Sequence, residues 1–416
     1  MRAVPEDNNG PNTSCFVLAG GVGDRLRPLT LTTPKPMLPF GGVHRLLDFT
    51  LSNVRNSGIS RAYVLSQYLH EDIGRHLRMY WTTAEPEAPT VVLNQPPTSG
   101  KRYRGTADAV AQNLESAPLS SGASDPVLVL SADHVYQMDY RKLLLHHERT
   151  GAGVTVAAIP VPLNAASHFG VISADGSGRV FGFDEKPESP AALPGARNIA
   201  LANMGVYVFN RWILGRALAE LRERQPALDF GRHVLPWMAQ REMAGVYRVS
   251  EAGGGAYWKD VGTLCAYHES HMELVDGRLG FDTFDARWPV RSMEDRVVRE
   301  AGGSLIAASA VVGDARVERS VVGVGVVVED GADVRDSVLL SGVRVGSGAA
   351  IRNAIVAAGG RIEARDSIGF DANRDLERFG VTQTGVVVVP PDRREHVRIV
   401  ATVGPHNRRT VGLMAG

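Results

Sequence analysis

Cysteine is almost missing from this chain. Cys15 and Cys265 are the two among 416 residues, too few for a disulfide framework. A charge excess is missing too: 45 Lys+Arg face 45 Asp+Glu. That balance argues against wholesale nucleic-acid binding, which rests on a basic surplus. No run approaches the roughly 18 apolar residues that cross a bilayer, and residues 1–12 carry no apolar core of the signal-peptide kind. What is present is ordinary for a globular protein, with 44% hydrophobic and 22% charged residues, so extended disorder is excluded for most of the length. At roughly 150 residues per domain the length suggests two or three domains. A cytoplasmic, soluble enzyme is the expectation.

The first two thirds alternate short apolar runs with helical patterns. Cys15 to Ala19, Ala62 to Leu65, Val91 to Leu93 and Val127 to Leu130 read as buried strands. Between the last two, Ala107, Val110, Ala111 and Leu114 fall on one helical face, with Thr106 as the expected cap. Asp139 is placed to cap the next helix, where Leu143 and His147 share a face. Strands separated by such helices predict an α/β fold with a mixed, mostly parallel sheet covered on both sides. Ligands of such sheets bind beyond the carboxyl ends of the strands.

The pattern changes near Gly277. Val311, Val328, Val345 and Ile362 recur every 17 residues, as do Val317, Val334 and Ile351, and Val322, Leu339 and Val356. Ala315, Ala332 and Ala349 keep the same interval. Three aliphatic positions per 17 residues fit a triangular coil of parallel strands, a shortened hexapeptide β-helix with one aliphatic per face pointing at the axis. The expected organisation is therefore an N-terminal extension (1–13), a catalytic domain (14–276), a linker (277–303), a β-helix (304–390) and a tail (391–416). Arg393, Arg394, Arg408 and Arg409 give the tail a basic character that reads as a solvated end.

Chemistry is sought after each strand. The first runs into Leu18-Ala19-Gly20-Gly21-Val22-Gly23-Asp24-Arg25. Glycines there let backbone N–H groups approach phosphate oxygens. The loop lacks the Gly-Lys-Ser/Thr of a Walker motif, and Leu26 stands where a dinucleotide fingerprint has its third glycine. Lys35, between Pro34 and Pro36, sits on a stiff extended segment. With Arg25 it can neutralise a polyphosphate. Asp133 follows the strand Val127 to Leu130, and Asp260 lies in Trp258-Lys259-Asp260-Val261-Gly262. Either aspartate alone could cap a turn; together they could hold Mg²⁺. Glu185-Lys186-Pro187 offers another rigidly placed cation, readable as a phosphate contact or a surface ion pair.

These residues carry a resemblance. Leu18-Ala19-Gly20-Gly21-x-Gly23-x-Arg25 with Pro34-Lys35-Pro36 resembles the signature of sugar-1-phosphate nucleotidyltransferases. Asp48-Phe49-x-Leu51-Ser52-Asn53, Ser66-Gln67-Tyr68, Tyr103-Arg104-Gly105-Thr106-Ala107-Asp108, Ala132-Asp133-His134, Glu185-Lys186-Pro187, Asp229-Phe230-Gly231 and Trp258 to Thr263 are similar to segments of the glucose-1-phosphate adenylyltransferases. Trp288-Pro289-Val290-Arg291 and the β-helix extend the likeness over residues 14 to 390.

The resemblance implies a Rossmann-like nucleotidyltransferase sheet followed by a left-handed parallel β-helix. The implied reaction is adenylyl transfer from ATP to α-D-glucose 1-phosphate for glycogen synthesis, with Mg²⁺, small-molecule allosteric effectors and a homotetramer. Residue by residue, it implies catalytic roles for Arg25, Lys35 and Asp133. Leu18, Ala19, Gly20, Gly21, Gln67, Tyr103, Gly105 and Thr106 would face the nucleotide. Glu185, Lys186, Asn203 and Gly170 would face the sugar phosphate, and Asp133 and Asp260 the metal.

The chain departs from the family where Asn203 replaces a serine, Arg102 an aromatic residue, and Gln95-Pro96-Pro97 a Gln-Gln-Arg stretch; Thr32 stands where some bacterial members place an activator-binding lysine. Another sugar 1-phosphate such as glucosamine 1-phosphate, another nucleotide, or a non-catalytic regulatory paralogue are the alternatives. A hexapeptide acyltransferase is disfavoured, because no histidine lies between His271 and His396.

Overall fold

The computed structural model describes residues 13–82, 89–94, 102–116, 125–249, 257–291, 295–299 and 302–391. The expected extension up to residue 12, the tail from residue 392 with its four arginines, and Gln95 to Pro97 lie outside the described residues. The chain packs as two compact units. One is drawn from Met1–Phe40, His44–Gly262 and Gly277–Glu294, the other from Gly41–Val43, Thr263–Asp276 and Asp295–Gly416.

The first unit is built on Ser14–Leu18, whose side chains alternate between two buried faces. Phe16 joins one core with Tyr63, Val129 and Phe209. Cys15 and Val17 join the other with Val64, Leu128, Leu130 and Val208. A sheet buried on both faces needs apolar residues at successive positions, which is why this strand reads as a continuous apolar run. Arg61–Leu65 and Pro126–Ser131 flank it in parallel, and Thr90–Asn94 pairs in parallel with Arg61–Leu65. The expected parallel character holds here. Beyond, Ile199–Asn210 runs antiparallel to Pro126–Ser131, Val154–Pro162 and Gly170–Ala174, so the sheet is mixed.

Asp139 caps Tyr140–Thr150 as expected, accepting from Arg141 N at 3.0 Å, and Leu143 and His147 are buried. The capping expectation for Thr106 needs correction. Helix Thr106–Asn113 has Gly105 at its N-cap, and Thr106 is its first residue. Its free N–H groups find acceptors far away in sequence: Leu228 O takes Ala107 N at 2.9 Å and Asp108 N at 3.0 Å. Residues 277–291, read as part of a connector, instead dock on helix Leu46–Asn56. Trp288 Nε1 donates to Asn53 Oδ1 at 3.0 Å, and Arg291 N to Ser52 Oγ at 2.8 Å.

The second unit is the expected parallel β-helix. Val328, Val345 and Ile362 stack in register on one face, as do Val317, Val334, Ile351 and Ile368 on the next. Ile306, Val322, Leu339, Val356 and Val389 line the third. One assignment slips. Val311 pairs with Val327 and is 61% exposed, while Val312 pairs with Val328 and turns inward. The first coil is one residue shorter than the 17-residue period at this face.

A corner repeats at Arg319, Asp336 and Asn353, with φ of 46°, 46° and 48°. Beside it runs a ladder of buried serines. Ser320 N donates to Ser304 Oγ, Ser337 N to Ser320 Oγ (both 3.1 Å), and Ala354 N to Ser337 Oγ at 3.2 Å. Helix Leu264–Val275, expected with the catalytic domain, packs with this unit. His268 Nε2 lies 2.7 Å from Asp336 O, and Arg319 bridges Asp276 and Asp336 at 2.8 and 2.7 Å. No helix among the described residues is long and apolar enough to cross a membrane.

Candidate active site

A cleft of about 480 Å³ opens in the first unit, beyond the carboxyl ends of Ser14–Leu18 and Pro126–Ser131, where sheets of this kind bind ligands. Its floor is set by a short ribbon. His134–Tyr136 pairs antiparallel with Trp258–Asp260, and Asp260 lies opposite His134. That register brings Asp133 and Asp260, 127 positions apart in the chain, beside one another.

Lys35 closes the group. Pro34 and Pro36 hold it on the single turn Lys35–Met37, where it is buried. Its Nζ donates to Asp133 Oδ2 at 2.7 Å and to Asp260 Oδ1 at 3.1 Å. Burial disfavours the charge on Lys35, but the two carboxylates outweigh it and raise the pKa above the ordinary lysine value. Burial likewise opposes ionisation of Asp133, yet the charges of Lys35 and His134 draw its pKa well below the usual carboxylate range. Lys35 is thus held as an ammonium and Asp133 as a carboxylate. Arg25 is exposed on the turn Asp24–Leu26 and lines the cleft; a Cβ built on Gly262 would lie 2.8 Å from its Nη2 and 2.9 Å from Asp260 Oδ1. A side chain at this position would have to push the guanidinium and the carboxylate aside, so the glycine lets both come close to the backbone.

Asp133, His134 and Asp260 offer donor atoms within 4.8 Å of one another. With Lys35 on Asp133 Oδ2 and Asp260 Oδ1, the second oxygen of each carboxylate remains to serve a hard divalent cation such as Mg²⁺. The donors present fit that ion. His134 Nε2 stands 3.5 Å from Asp133 Oδ1, and its Nδ1 is buried without a hydrogen-bond partner among the described residues.

The opposite wall carries Glu185, Lys186, Gly170, Asn203, Gly205, Tyr207, Asp229 and Arg232. Burial raises the pKa of Glu185, opposed by Lys186 and Arg232 and assisted by Asp229. Lys186 Nζ is 3.9 Å from Glu185 Oε1. Asn203 sits in a bulge where the register of its strand slips. Its Nδ2 donates to Tyr207 Oη at 2.8 Å, and its Oδ1 accepts from Gly205 N at 3.0 Å. Its amide is therefore oriented by its own bulge.

Of the expected site residues, Leu18, Arg25, Lys35, Thr106, Asp133, Gly170, Glu185, Lys186, Asn203 and Asp260 line the cleft together. Ala19, Gly20, Gly21, Gln67, Tyr103 and Gly105 are not among its lining. Among the described residues, a Cβ on Gly21 would meet no atom within 4 Å. Gln67 Oε1 accepts from Tyr103 N at 3.0 Å, tying the 102–106 segment to the neighbouring strand end. Tyr103 itself is buried in the core, its hydroxyl accepting from Asn113 Nδ2 at 3.0 Å. His134, His168, Phe169 and Arg232 line the cleft without having been singled out. For two of them a signal existed: His134 stands inside the quoted Ala132-Asp133-His134 segment, and Arg232 directly follows Asp229-Phe230-Gly231.

Residues 15–277 match the nucleotidyl transferase family model, and residues 289–389 match the "GlmU-like, C-terminal hexapeptide" model. The first match alone covers more than half of the chain. Glucose-1-phosphate adenylyltransferase 2 of Alkalilimnicola ehrlichii is 39% identical, over 92% of this chain and 94% of its own. The glucose-1-phosphate adenylyltransferase of Corynebacterium aurimucosum is 42% identical, over 91% and 98%. The chain belongs to the glucose-1-phosphate adenylyltransferase family. A third relative, glucose-1-phosphate adenylyltransferase 2 of Vibrio parahaemolyticus, is 39% identical over 90% of this chain and 97% of its own. Both domains of this adenylyltransferase-family chain are thus matched nearly end to end, and the cleft lies wholly inside the nucleotidyl transferase match.

Proposed function

We propose that this chain transfers the adenylyl group of ATP to α-D-glucose 1-phosphate, giving ADP-glucose and pyrophosphate, for α-glucan (glycogen) synthesis. The observation that carries the reading is the Lys35 ammonium held between Asp133 and Asp260 in a cleft that Arg25, Lys186 and Arg232 also line. The relatives' names supply the nucleotide and the sugar.

The chemistry asks little proton transfer of the protein. A sugar phosphate has its second pKa at about 6 and is mostly dianionic at neutral pH, so its oxygen is already a nucleophile. That oxygen would attack the α-phosphorus of ATP, the bond to the β-phosphate oxygen would break, and pyrophosphate would leave with its electron pair. No proton need move. The obstacle is the repulsion between two polyanions. Arg25 and Lys35 would neutralise charge on the triphosphate, and Lys186 with Arg232 would do so on the sugar phosphate. Glu185, half-buried on the opposite wall, would accept hydrogen bonds from sugar hydroxyls. Mg²⁺ on Asp133 and Asp260 would supply Lewis-acid charge stabilisation at the phosphate oxygens. Rate enhancement would come mostly from positioning and charge, as in other phosphoryl transfers. A homotetramer under the control of small-molecule effectors belongs to the same proposal.

Pyrophosphate release is the test, across ATP, CTP, GTP, UTP and dTTP with glucose 1-phosphate, glucosamine 1-phosphate and other sugar 1-phosphates. ATP with glucose 1-phosphate should give the highest kcat/KM. Preference for UTP or dTTP would overturn the adenylyl assignment while leaving nucleotidyl transfer in place.

A further inference from the structure

The two walls of the cleft are joined by an unusual helix start. An α-helix begins with N–H groups that lack intrahelical partners, and the residue at the N-cap normally supplies an acceptor. Helix Thr106–Asn113 cannot use that device, because Gly105 has no side chain. Gly105 sits at φ 129°, and a Cβ there would lie 2.4 Å from Leu228 O. The acceptors therefore come from a turn more than a hundred residues on. Asp229 Oδ1 takes Thr106 N at 3.0 Å and Thr106 Oγ1 at 3.1 Å. Thr106 Oγ1 in turn accepts from Phe230 N at 3.1 Å. Leu228 N donates to Arg104 O at 2.8 Å, so the backbone bonds on either side as well.

The turn then continues into the other wall. A Cβ on Gly231 would stand 2.5 Å from Glu185 Oε2, and one on Gly170 would stand 3.0 Å from the same atom. Glu185 is thus seated between two glycines, one of them two residues beyond Asp229. A shift of the Asp229 turn would move the seat of Glu185 relative to the helix that starts at Thr106. On the other side, Gln67 holds Tyr103 N, so the segment before the helix is fixed to the sheet.

We infer that Thr106 and Asp229 form a positioning clasp, which sets the spacing between the nucleotide wall and the sugar-phosphate wall. The clasp deepens the adenylyl-transfer reading and rests on it. Its contribution is chiefly geometric: the two Thr106–Asp229 bonds are solvent-exposed, and only the Phe230 N bond to Thr106 Oγ1 is part-buried; exposed bonds add little stability because water replaces them. Each substrate would still bind its own wall when the clasp is broken. What suffers is the approach of the attacking oxygen to the α-phosphorus, and small misplacements there are costly in rate.

Thr106→Val removes the hydroxyl with little change in shape; Thr106→Ser keeps it. The valine variant should lose about tenfold or more in kcat, with calorimetric dissociation constants for ATP alone and glucose 1-phosphate alone within about threefold of the unaltered chain. The serine variant should restore most of kcat. Hydrogen exchange should quicken at the amide of Phe230, whose acceptor is the lost hydroxyl, in the valine variant only. A normal kcat for Thr106→Val overturns the clasp, as does an equal loss in Thr106→Ser. Weakened binding of ATP alone with kcat kept also overturns it, since Thr106 would then be a simple substrate contact. Should the valine variant not fold, Thr106→Ala takes its place in the same comparison. Failure of the unaltered chain to make ADP-glucose would strike at the function reading instead, and amide exchange would still decide whether the clasp exists.

Discussion

Lys35 answers a problem that its neighbours create. Two carboxylates this close repel, and a buried cation between them removes the repulsion. The same ammonium faces the cleft, so its loss should damage the reaction more than substrate capture. Lys35→Ala is expected to lower kcat by about a hundredfold, the scale seen when one preorganised donor is removed from a charged transition state. Lys186 differs: it is half-exposed and only loosely paired with Glu185. Its interaction with a sugar phosphate should be nearly the same before and during reaction, so Lys186→Ala should chiefly raise the apparent KM for that substrate. Steady-state kinetics of both variants separate the two, and near-normal values for both would remove the assignment. Lys35, Asp133 and Asp260 were legible in the sequence because each is a charged residue at a strand end or pinned by proline. That a single ammonium joins both carboxylates was not legible, since it depends on a ribbon pairing between residues 134–136 and 258–260. His134 and Arg232 escaped for another reason. His134 stands inside a recognisable motif and Arg232 one residue past another, and local spacing does not say which side chain of a turn faces inward.

At the level of elements, the β-helix was the clearest reading, because a solenoid repeats its core positions at a fixed interval. Counting aliphatics misplaced Val311 for Val312, since neighbouring valines are equivalent to such a count and only strand pairing separates them. The same count overlooked the serines. Ser304, Ser320 and Ser337 are fully buried, and each hydroxyl accepts the N–H of the coil above; Ser320 and Ser337 donate to Glu318 O and Arg335 O of their own coils, and Ser304 to Val317 O of the next. The corner residues beside them adopt positive φ, so the ladder of backbone bonds is interrupted there and the hydroxyls satisfy what is left over. Ser337→Ala would leave Ala354 N and Arg335 O without this partner inside the coil. The expected cost is about 1–3 kcal/mol, the penalty for an unsatisfied buried group. Ile351→Ala in the stacked core should cost about 2–5 kcal/mol. Urea unfolding followed by far-UV circular dichroism reads both, and an unchanged midpoint for Ser337→Ala would show that the ladder contributes nothing. Helix Leu264–Val275 was assigned by sequence order to the first domain. Its buried His268 and the Arg319 pair with Asp276 tie it to the coil corners instead, contacts that no local pattern announces.

Over the whole molecule, each unit buries histidines in neutral form, and this makes stability depend on acid. In the first unit burial lowers the pKa of His44 to about 4, and burial with neighbouring His146 lowers that of His147 to about 4. In the second, burial lowers His271 to about 3, despite the Tyr267 carbonyl that accepts its Nδ1–H, and lowers His268 as well. An unfolded histidine titrates at about 6.5. Below that value the unfolded chain takes up protons that the native chain refuses, so the stabilisation present above pH 6.5 is lost as pH falls toward the folded values. Between pH 6.5 and 5 each strongly shifted histidine should cost about 2 kcal/mol, an upper figure given ordinary relaxation around a buried charge. Glu185 in the first unit and Asp375 in the second work the other way, because burial raises their pKa values and this favours the native state at lower pH. Two carboxyls do not offset several histidines. All five tryptophans (Trp81, Trp212, Trp237, Trp258 and Trp288) lie in the first unit, so tryptophan fluorescence reports that unit alone while far-UV dichroism reports both. Both probes should show a lower urea midpoint at pH 5 than at pH 7.5. His147→Gln can keep a hydrogen bond to Thr155 without titrating, and it should shrink the pH dependence of the fluorescence midpoint while leaving the pH response of the second unit unchanged. Equal midpoints at the two pH values in the unaltered chain would mean that these imidazoles are protonated, and solvated, within the native fold.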